Sequence, residues 1–503
     1  MPIKQLNSVL VTRSDLLKIL ILIVLAIGIY YPLFYSEYAY TDEFVQLWLY
    51  KKGSNFQMFI TQGRYVTEKL FQWLFVNALT IRDLTGIRMF SFSGWMACIP
   101  IWYFIIKKVI EKEKLPSMLV FFSILYLICS PPFSIYVQWT SCMEHFIANT
   151  AGLLSGYLLY SSFRNRNEKI IKSILGIAGC IIFGVISLFT YQNGFGSFFL
   201  PFIIYLASKP KNFRVILISI VFCFLIYGIY YLLFKYNLKA NQIAAVGRTT
   251  ISIDLFPKIR FFFGRALAIP FHFNYLFNEK DLAGAAFYVI ILFTWIGIDL
   301  RISSLSVINY LKLFSLAIIL LVLIYLPGLV VKENYASNRT LFALNLAVFF
   351  LVANTLLKAI KKYRNRLATV IVLSSILVAN AYFNFVWQFL NPVKNEYRNV
   401  RAFVETNYHP GVDTVYFIQP HEDFFARKYG ITRSWDEFAV PSTFFNWVPE
   451  FFVKQVIFEK TGNREIAERM ITKQWPDKKQ FQDSAFQVSQ RAMFIDVENI
   501  LSK

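Results

Sequence analysis

Apolar runs long enough to cross a lipid bilayer recur along this chain, and they constrain its fold more than any other feature. A helix needs about 20 such residues to span the hydrocarbon. Runs of this kind occupy Ile19–Phe34, Met89–Ile106, Met118–Ser134, Phe146–Ser161, Ile174–Thr190, Gly194–Leu206, Val215–Phe234, Leu282–Ile298, Leu313–Val331, Leu341–Leu357 and Ala368–Leu390. They predict an all-α polytopic membrane bundle of about eleven transmembrane helices. Gly194–Leu206 is short enough to be re-entrant. Phe256–Phe271 is apolar but carries Lys258, Arg260 and Arg265. It reads as an interfacial helix, with a twelfth crossing as the alternative. Hydrophobic residues make up 56% of the chain, above the share usual in water-soluble domains.

The net charge of +21 is unevenly placed. Residues 391–503 carry as many acidic as basic side chains, so the whole excess lies in 1–390. Basic excess confined to the hydrophobic part belongs to the loops of a membrane protein rather than to a nucleic-acid patch. Lys4, Arg13 and Lys18 precede the first run, and alternate loops hold clusters such as Lys107–Lys114, Arg164–Lys172, Lys209–Arg214 and Lys358–Arg366. With eleven spans these clusters fall on one side. Lys and Arg in short loops stay in the cytoplasm. The N-terminus is therefore expected inside and the C-terminus outside, in a plasma membrane such as the bacterial inner membrane. No small-x-small cleavage site follows the first run, which reads as an uncleaved anchor.

Residues 1–390 are expected to form the membrane domain and 391–503 a small external (periplasmic) α+β domain. The latter shows strand-like Thr414–Gln419, a second strand at Ala485–Val488 pairing with Met493–Ile495, and a charged helix near Asn463–Lys473. Cys98, Cys129, Cys142, Cys180 and Cys223 form no CxxC pair and read as packing residues.

The candidate chemistry lies just after the first run, at Asp42-Glu43. Beyond it, Phe56, Phe59, Ile60, Val66, Leu70, Phe71 and Leu74 recur at helical spacing, while Thr61, Arg64, Glu68 and Lys69 take the other face. That pattern predicts interfacial helices holding the acidic pair at the mouth of the bundle.

An acidic pair in the first external loop, followed by interfacial helices with a Gly-Arg (Gly63-Arg64), resembles the GT-C membrane glycosyltransferases. These include protein O-mannosyltransferases, lipid A aminoarabinose transferases and bacterial O-antigen glycosyltransferases. The resemblance implies an outward-facing site, a polyprenyl-phosphate sugar donor and a glycan or protein acceptor. It assigns Asp42 as general base, with inversion at the anomeric carbon. Glu43 would position the acceptor or help to order a divalent cation; no metal-ligand set is indicated. A phosphate leaving group needs positive charge, which Arg supplies with a matching fork. Arg339, Arg64, Arg265 and Arg248 are the donor-phosphate candidates.

Tyr191, Gln192 and Asn193 are candidates for hydrogen-bonding a sugar or acceptor; the competing reading is a turn that satisfies its own backbone. Glu144 and His145 read as an ordinary ion pair, and His421-Glu422-Asp423 and Trp435-Asp436-Glu437 as solvated loops. No Gly-rich phosphate loop opens a helix in a βαβ setting, which argues against a nucleotide-sugar donor. The alternative functions are a flippase or transporter of lipid-linked saccharide and a polysaccharide polymerase. Transporters keep ionisable groups near the midplane, and these runs hold almost none.

Overall fold

A computed structural model describes residues 12–50, 57–164, 170–243, 254–274, 282–303, 305–360, 366–431, 439–483 and 491–503. Helices dominate. Among the described residues six are long and apolar enough to cross a membrane: Arg13–Phe34, Ile81–Lys112, Ile170–Thr190, Arg214–Ala240, Val307–Ile324 and Val370–Asn407. A bent pair, Met118–Ile128 with Pro131–Gln138, makes a seventh if counted as one span.

Several of these helices bury one side and leave large apolar residues exposed on the other. In Arg13–Tyr30, Leu22, Ala26 and Ile29 are buried, while Leu16, Leu17, Leu20, Val24 and Ile27 are exposed. Leu217, Val221, Phe224 and Leu232 are exposed on Arg214–Ala240. Contiguous apolar surface of this kind is unstable in water and stable against lipid tails.

The eleven expected spans are reduced for local reasons. Met118–Ser134 breaks by 49° between its two helices. Pro131 and Pro132 supply no backbone N–H, and Ser130 caps the second helix by accepting from Phe133 N at 3.3 Å. Gly194–Leu206 is two short pieces, a 3₁₀ run Gln192–Phe199 and a helix Leu200–Ala207, and both are buried inside the protein. His145–Arg164 carries Asn149, Thr150 and Ser155 on its buried side, which lowers its mean hydropathy. A helix enclosed by other helices does not need an apolar surface. Gly156 is one reason the enclosure is close: a Cβ there would collide with the Phe198 carbonyl.

Phe256–Phe271 is not one helix. It is an α-helical Leu255–Phe261, a π-helical Phe262–Ala266 and a 3₁₀ turn Ile269–His272, and it is not among the helices long and apolar enough to cross. The chain then dips inward. Asn274 accepts from the side-chain amides of Asn345 (3.1 Å), Asn380 (2.6 Å) and Asn384 (3.0 Å).

One end of the bundle is tied by ion pairs between loops and helix ends. Lys107 meets Asp15 at 2.6 Å, Arg164 meets Glu113 at 2.9 Å, and Lys209 meets Asp299 at 2.9 Å. The opposite end carries the candidate site and the C-terminal segment.

Residue 390 is not a break. Helix Arg366–Phe383 continues through a π-helical Asn384–Leu390 into Asn391–Asn407. Beyond it lie three parallel strands: β1 (Thr414–Ile418), β2 (Ile471–Trp475) and β3 (Ala492–Asp496), ordered β2-β1-β3. β1 is central and fully buried, as expected for a parallel strand covered on both faces. Ala485–Val488 lies outside the described residues, and β3 pairs with β1. The charged helix expected over Asn463–Lys473 is limited to Arg464–Glu468, because β2 claims the residues that follow. Helix Pro449–Thr461 packs this segment on the bundle end, with Phe452 against Phe44 at 4.8 Å and Gln455 accepting from Trp48 Nε1 at 2.9 Å.

Candidate functional site

Asp42 and Glu43 open the helix Asp42–Leu49, and the preceding Thr41 has φ 42°. A β-branched residue is strained there and persists only where its surroundings fix it. Glu43 does the fixing. Its carboxylate accepts from Tyr40 N, Thr140 N and Arg88 Nη2, each at 2.7 Å, and the residue is 0% exposed. Arg88 also donates to the carbonyls of Gln138 and Tyr38 at 2.9 Å and lies over the Tyr38 ring. Glu43 therefore ties the loop to the helix Ile81–Lys112 and to the turn at Thr140. These surroundings do not suit a metal ligand or an acceptor-positioning group. No group of three or more potential metal-ligating residues gathers elsewhere among the described residues. Asp42, by contrast, is partly exposed and accepts from Trp447 Nε1 at 3.1 Å.

The interfacial pattern forms as two helices, Gln57–Thr61 and Tyr65–Phe75, joined at Gly63 with φ 73°. A side chain at Gly63 would strike the Tyr230 hydroxyl, so the turn needs glycine on both counts. Phe59, Ile60 and Phe71 point inward as expected, and Phe75 joins them, but Thr61 and Glu68, assigned to the polar face, are buried as well. Outward instead lie Met58 and Trp73. The turn sets Arg64 over the Tyr191 ring at 4.5 Å, with its Nε 3.4 Å from Gln192 Oε1. The Gln192 amide nitrogen donates to Gln62 O and Tyr230 Oη at 2.7 and 2.8 Å. Gln192 thus holds the Arg64 turn in place, and Tyr191 is covered by Arg64 on one side and the His145 ring, 4.2 Å away, on another. Asn193 Oδ1 is buried with no hydrogen-bond partner among the described residues.

Arg339 sits in the short turn Asn338–Thr340 before helix Phe342–Ile360. Its guanidinium lies 5.1 Å from the rings of Trp139 and Tyr335, and Nη2 donates to Tyr335 Oη at 3.0 Å. Glu144, read from sequence as half of an ordinary ion pair, lies in the turn before His145–Arg164. Its nearest His145 contact is 3.9 Å, because the imidazole Nδ1 donates to Cys142 O at 2.9 Å. Glu144 is 1% exposed, and neither carboxylate oxygen has a hydrogen-bond partner among the described residues. Burial pushes its pKa up to about 7 against the opposing pull of its own backbone N–H, Arg64, Thr67 and Arg339.

The charges converge. Asp42, Glu144, Arg64 and Arg339 all act electrostatically on one buried side chain, Cys142. Residues spread from position 42 to 339 thus supply two carboxyls and two guanidiniums to one region. Arg265 acts electrostatically on Tyr325, and Arg248 lies outside the described residues. His421 and Asp423 form an exposed pair at 2.6 Å with Arg427 beside it, and 435–437 lie outside the described residues. Sequence reasoning missed the roles of Arg88, Glu144 and Trp447. An acid bounded by the apolar stretches before Gln138 and after His145 was the only available signal for Glu144; Asn446-Trp447-Val448 offered none.

Outward apolar flanks on several candidate spans make this chain a helical, multi-pass membrane protein with a charged, aromatic-lined site at one end of its bundle. Compared with known proteins, it matches no family model and no curated relative.

Proposed function

We propose that the chain is a glycosyltransferase that moves a sugar from a polyprenyl-phosphate donor to an acceptor on the outer face of the plasma membrane. The observation that carries this reading is the gathering of Arg64 and Arg339 about the region that Asp42 borders. Phosphate binding and base chemistry are the two demands of the reaction, and they fall to different residues here.

In the proposed step the acceptor hydroxyl attacks the anomeric carbon and gives its proton to Asp42. The bond from that carbon to the phosphate oxygen breaks on the opposite face, with inversion. The leaving phosphate takes the electron pair, and the two guanidiniums stabilise its charge. Glu43 and Arg88 hold the Asp42 turn, and Gln192 holds Arg64. The lipid tail would lie along the apolar outer surfaces of the spans. An outward-facing site is favoured by the basic loop ends Lys107, Arg164 and Lys209, which gather at the other end of the bundle. The segment after Asn407 would then be external.

The test is a reconstituted assay with radiolabelled polyprenyl-phosphate sugar. Asp42→Asn is expected to retain its melting temperature and lose transfer by about 10²–10⁴-fold. Undiminished transfer by that variant would remove Asp42 as the base. Movement of the donor across vesicles without hydrolysis or transfer would replace this reading with a flippase.

A further inference from the structure

Next to Asp42 stands an aromatic residue that the proposed transfer step does not use. Trp447 lies between the 3₁₀ turn Ser442–Phe444 and helix Pro449–Thr461, and it is 50% exposed. Its indole N–H donates to Asp42 Oδ1 at 3.1 Å. Phe445 lies 4.9 Å away at an interplanar angle of 32°, so the two rings form one tilted aromatic surface.

The backbone beneath this surface is fixed on both sides. The buried Glu396 carboxylate accepts from Ser442 N (2.8 Å), Thr443 N (2.9 Å) and Thr443 Oγ1 (2.6 Å). Gln474 Nε2 donates to the Asn446 carbonyl at 2.9 Å, and Val448 and Pro449 are buried. The ring is thus held at a set place rather than left on a loose loop. Nor is its polar atom turned to the surroundings, as in an indole that anchors to lipid head groups. The N–H is spent on a protein carboxylate.

An exposed indole backed by the half-buried Phe445 ring, beside a carboxylate, suits one class of ligand well. A sugar ring carries C–H groups on its faces and hydroxyls around its edge. Stacking the face on an aromatic ring, whose π surface is negative, leaves the edge hydroxyls pointing sideways. Here a hydroxyl on that edge would point toward Asp42. We propose that Trp447 and Phe445 form the platform for the acceptor, and that the acceptor is therefore a saccharide rather than a protein side chain. This deepens the glycosyl-transfer reading and rests on it for the role of Asp42.

The experiment uses the full chain in nanodiscs and saturation-transfer NMR. The probes are short α-glucan, β-glucan, mannan and N-acetylglucosamine oligomers, with a Ser/Thr-rich peptide alongside. At least one oligosaccharide is expected to bind. Trp447→Ala should weaken it about tenfold, the upper end of what an aromatic contact supplies, while Trp447→Phe, which keeps a ring face, should retain most of the binding. Melting temperatures of both variants check the fold. Failure of every oligosaccharide to bind, binding of the peptide alone, or unchanged saccharide binding by Trp447→Ala overturns the platform. Transfer from labelled polyprenyl-phosphate sugar is measured separately. Trp447-dependent saccharide binding with no donor consumed would overturn the transfer reading and leave the platform standing. Transfer to a saccharide with an unaltered acceptor KM in Trp447→Ala would do the reverse.

Discussion

Glu144 is the residue whose environment and chemistry disagree most. A carboxyl this deeply buried resists ionisation, and its own backbone N–H, Thr67 and two guanidiniums nearby only partly offset this, so its pKa rises to about 7. The groups acting on it or lying against it are Arg64 and Thr67 from the first interfacial turn and helix, Arg339 from the turn at 338–340, and His145. Its charge also reaches Tyr50, Tyr136, Tyr191 and Cys142. In the proposed reaction, below pH 7 the carboxyl would be neutral and both guanidiniums would be left to the phosphate. Above it the carboxylate competes for them. Donor KM is accordingly expected to rise between pH 6 and 8 by several-fold, and Glu144→Gln should flatten that rise. Stability follows with a definite sign. The unfolded chain releases this proton near the ordinary glutamate value of 4.5, whereas the folded chain keeps it until about 7. The folded state therefore binds more protons in that window, and stability falls as pH rises through it. The loss is on the order of 3 kcal/mol. A Glu144→Gln melting temperature that gains nothing on the native protein between pH 5 and 7.5 would show the carboxyl to be solvated.

At the scale of elements, the turn that presents Asp42 is held by a buried ion pair between two segments. Arg88 comes from the long helix Ile81–Lys112 and Glu43 from the helix Asp42–Leu49, and both are fully buried. Removing one partner leaves the other charge buried without compensation, which costs about 3–5 kcal/mol. Arg88→Met should therefore lower the melting temperature in detergent markedly and reduce activity as well, although it touches no substrate. A joint Glu43→Gln, Arg88→Met variant should recover part of the lost stability, since no lone charge remains. Equal melting temperatures for the single and double variants would count against the pair as the clamp.

For the whole molecule, the test is sidedness. All five cysteines are buried, so impermeant thiol reagents have little native background. Glu422→Cys, in the C-terminal segment, is expected to react with an impermeant maleimide on intact cells. Lys112→Cys, at the end tied by Lys107 and Arg164, should react only after lysis; both positions are exposed. The opposite pattern would put the site on the cytosolic side, where a polyprenyl-phosphate donor facing outward cannot reach it.

The apolar runs alone establish a helical membrane protein, because a bilayer imposes one dominant physical demand, satisfied backbone under an apolar surface, and that demand is written locally. Chemistry also localised Asp42, Arg64 and Arg339 as residues worth bringing together. Span count was less legible: Pro131-Pro132 splits one run, and the enclosed His145–Arg164 does not need lipid-facing apolarity. The difference between Asp42 and Glu43, one partly exposed and one clamped by Arg88, was invisible in a dipeptide of two acids. Glu144 and Trp447 were out of reach for the same reason. Burial without partners and a hydrogen bond across 405 positions depend on which distant segments meet, and only the packed chain decides that.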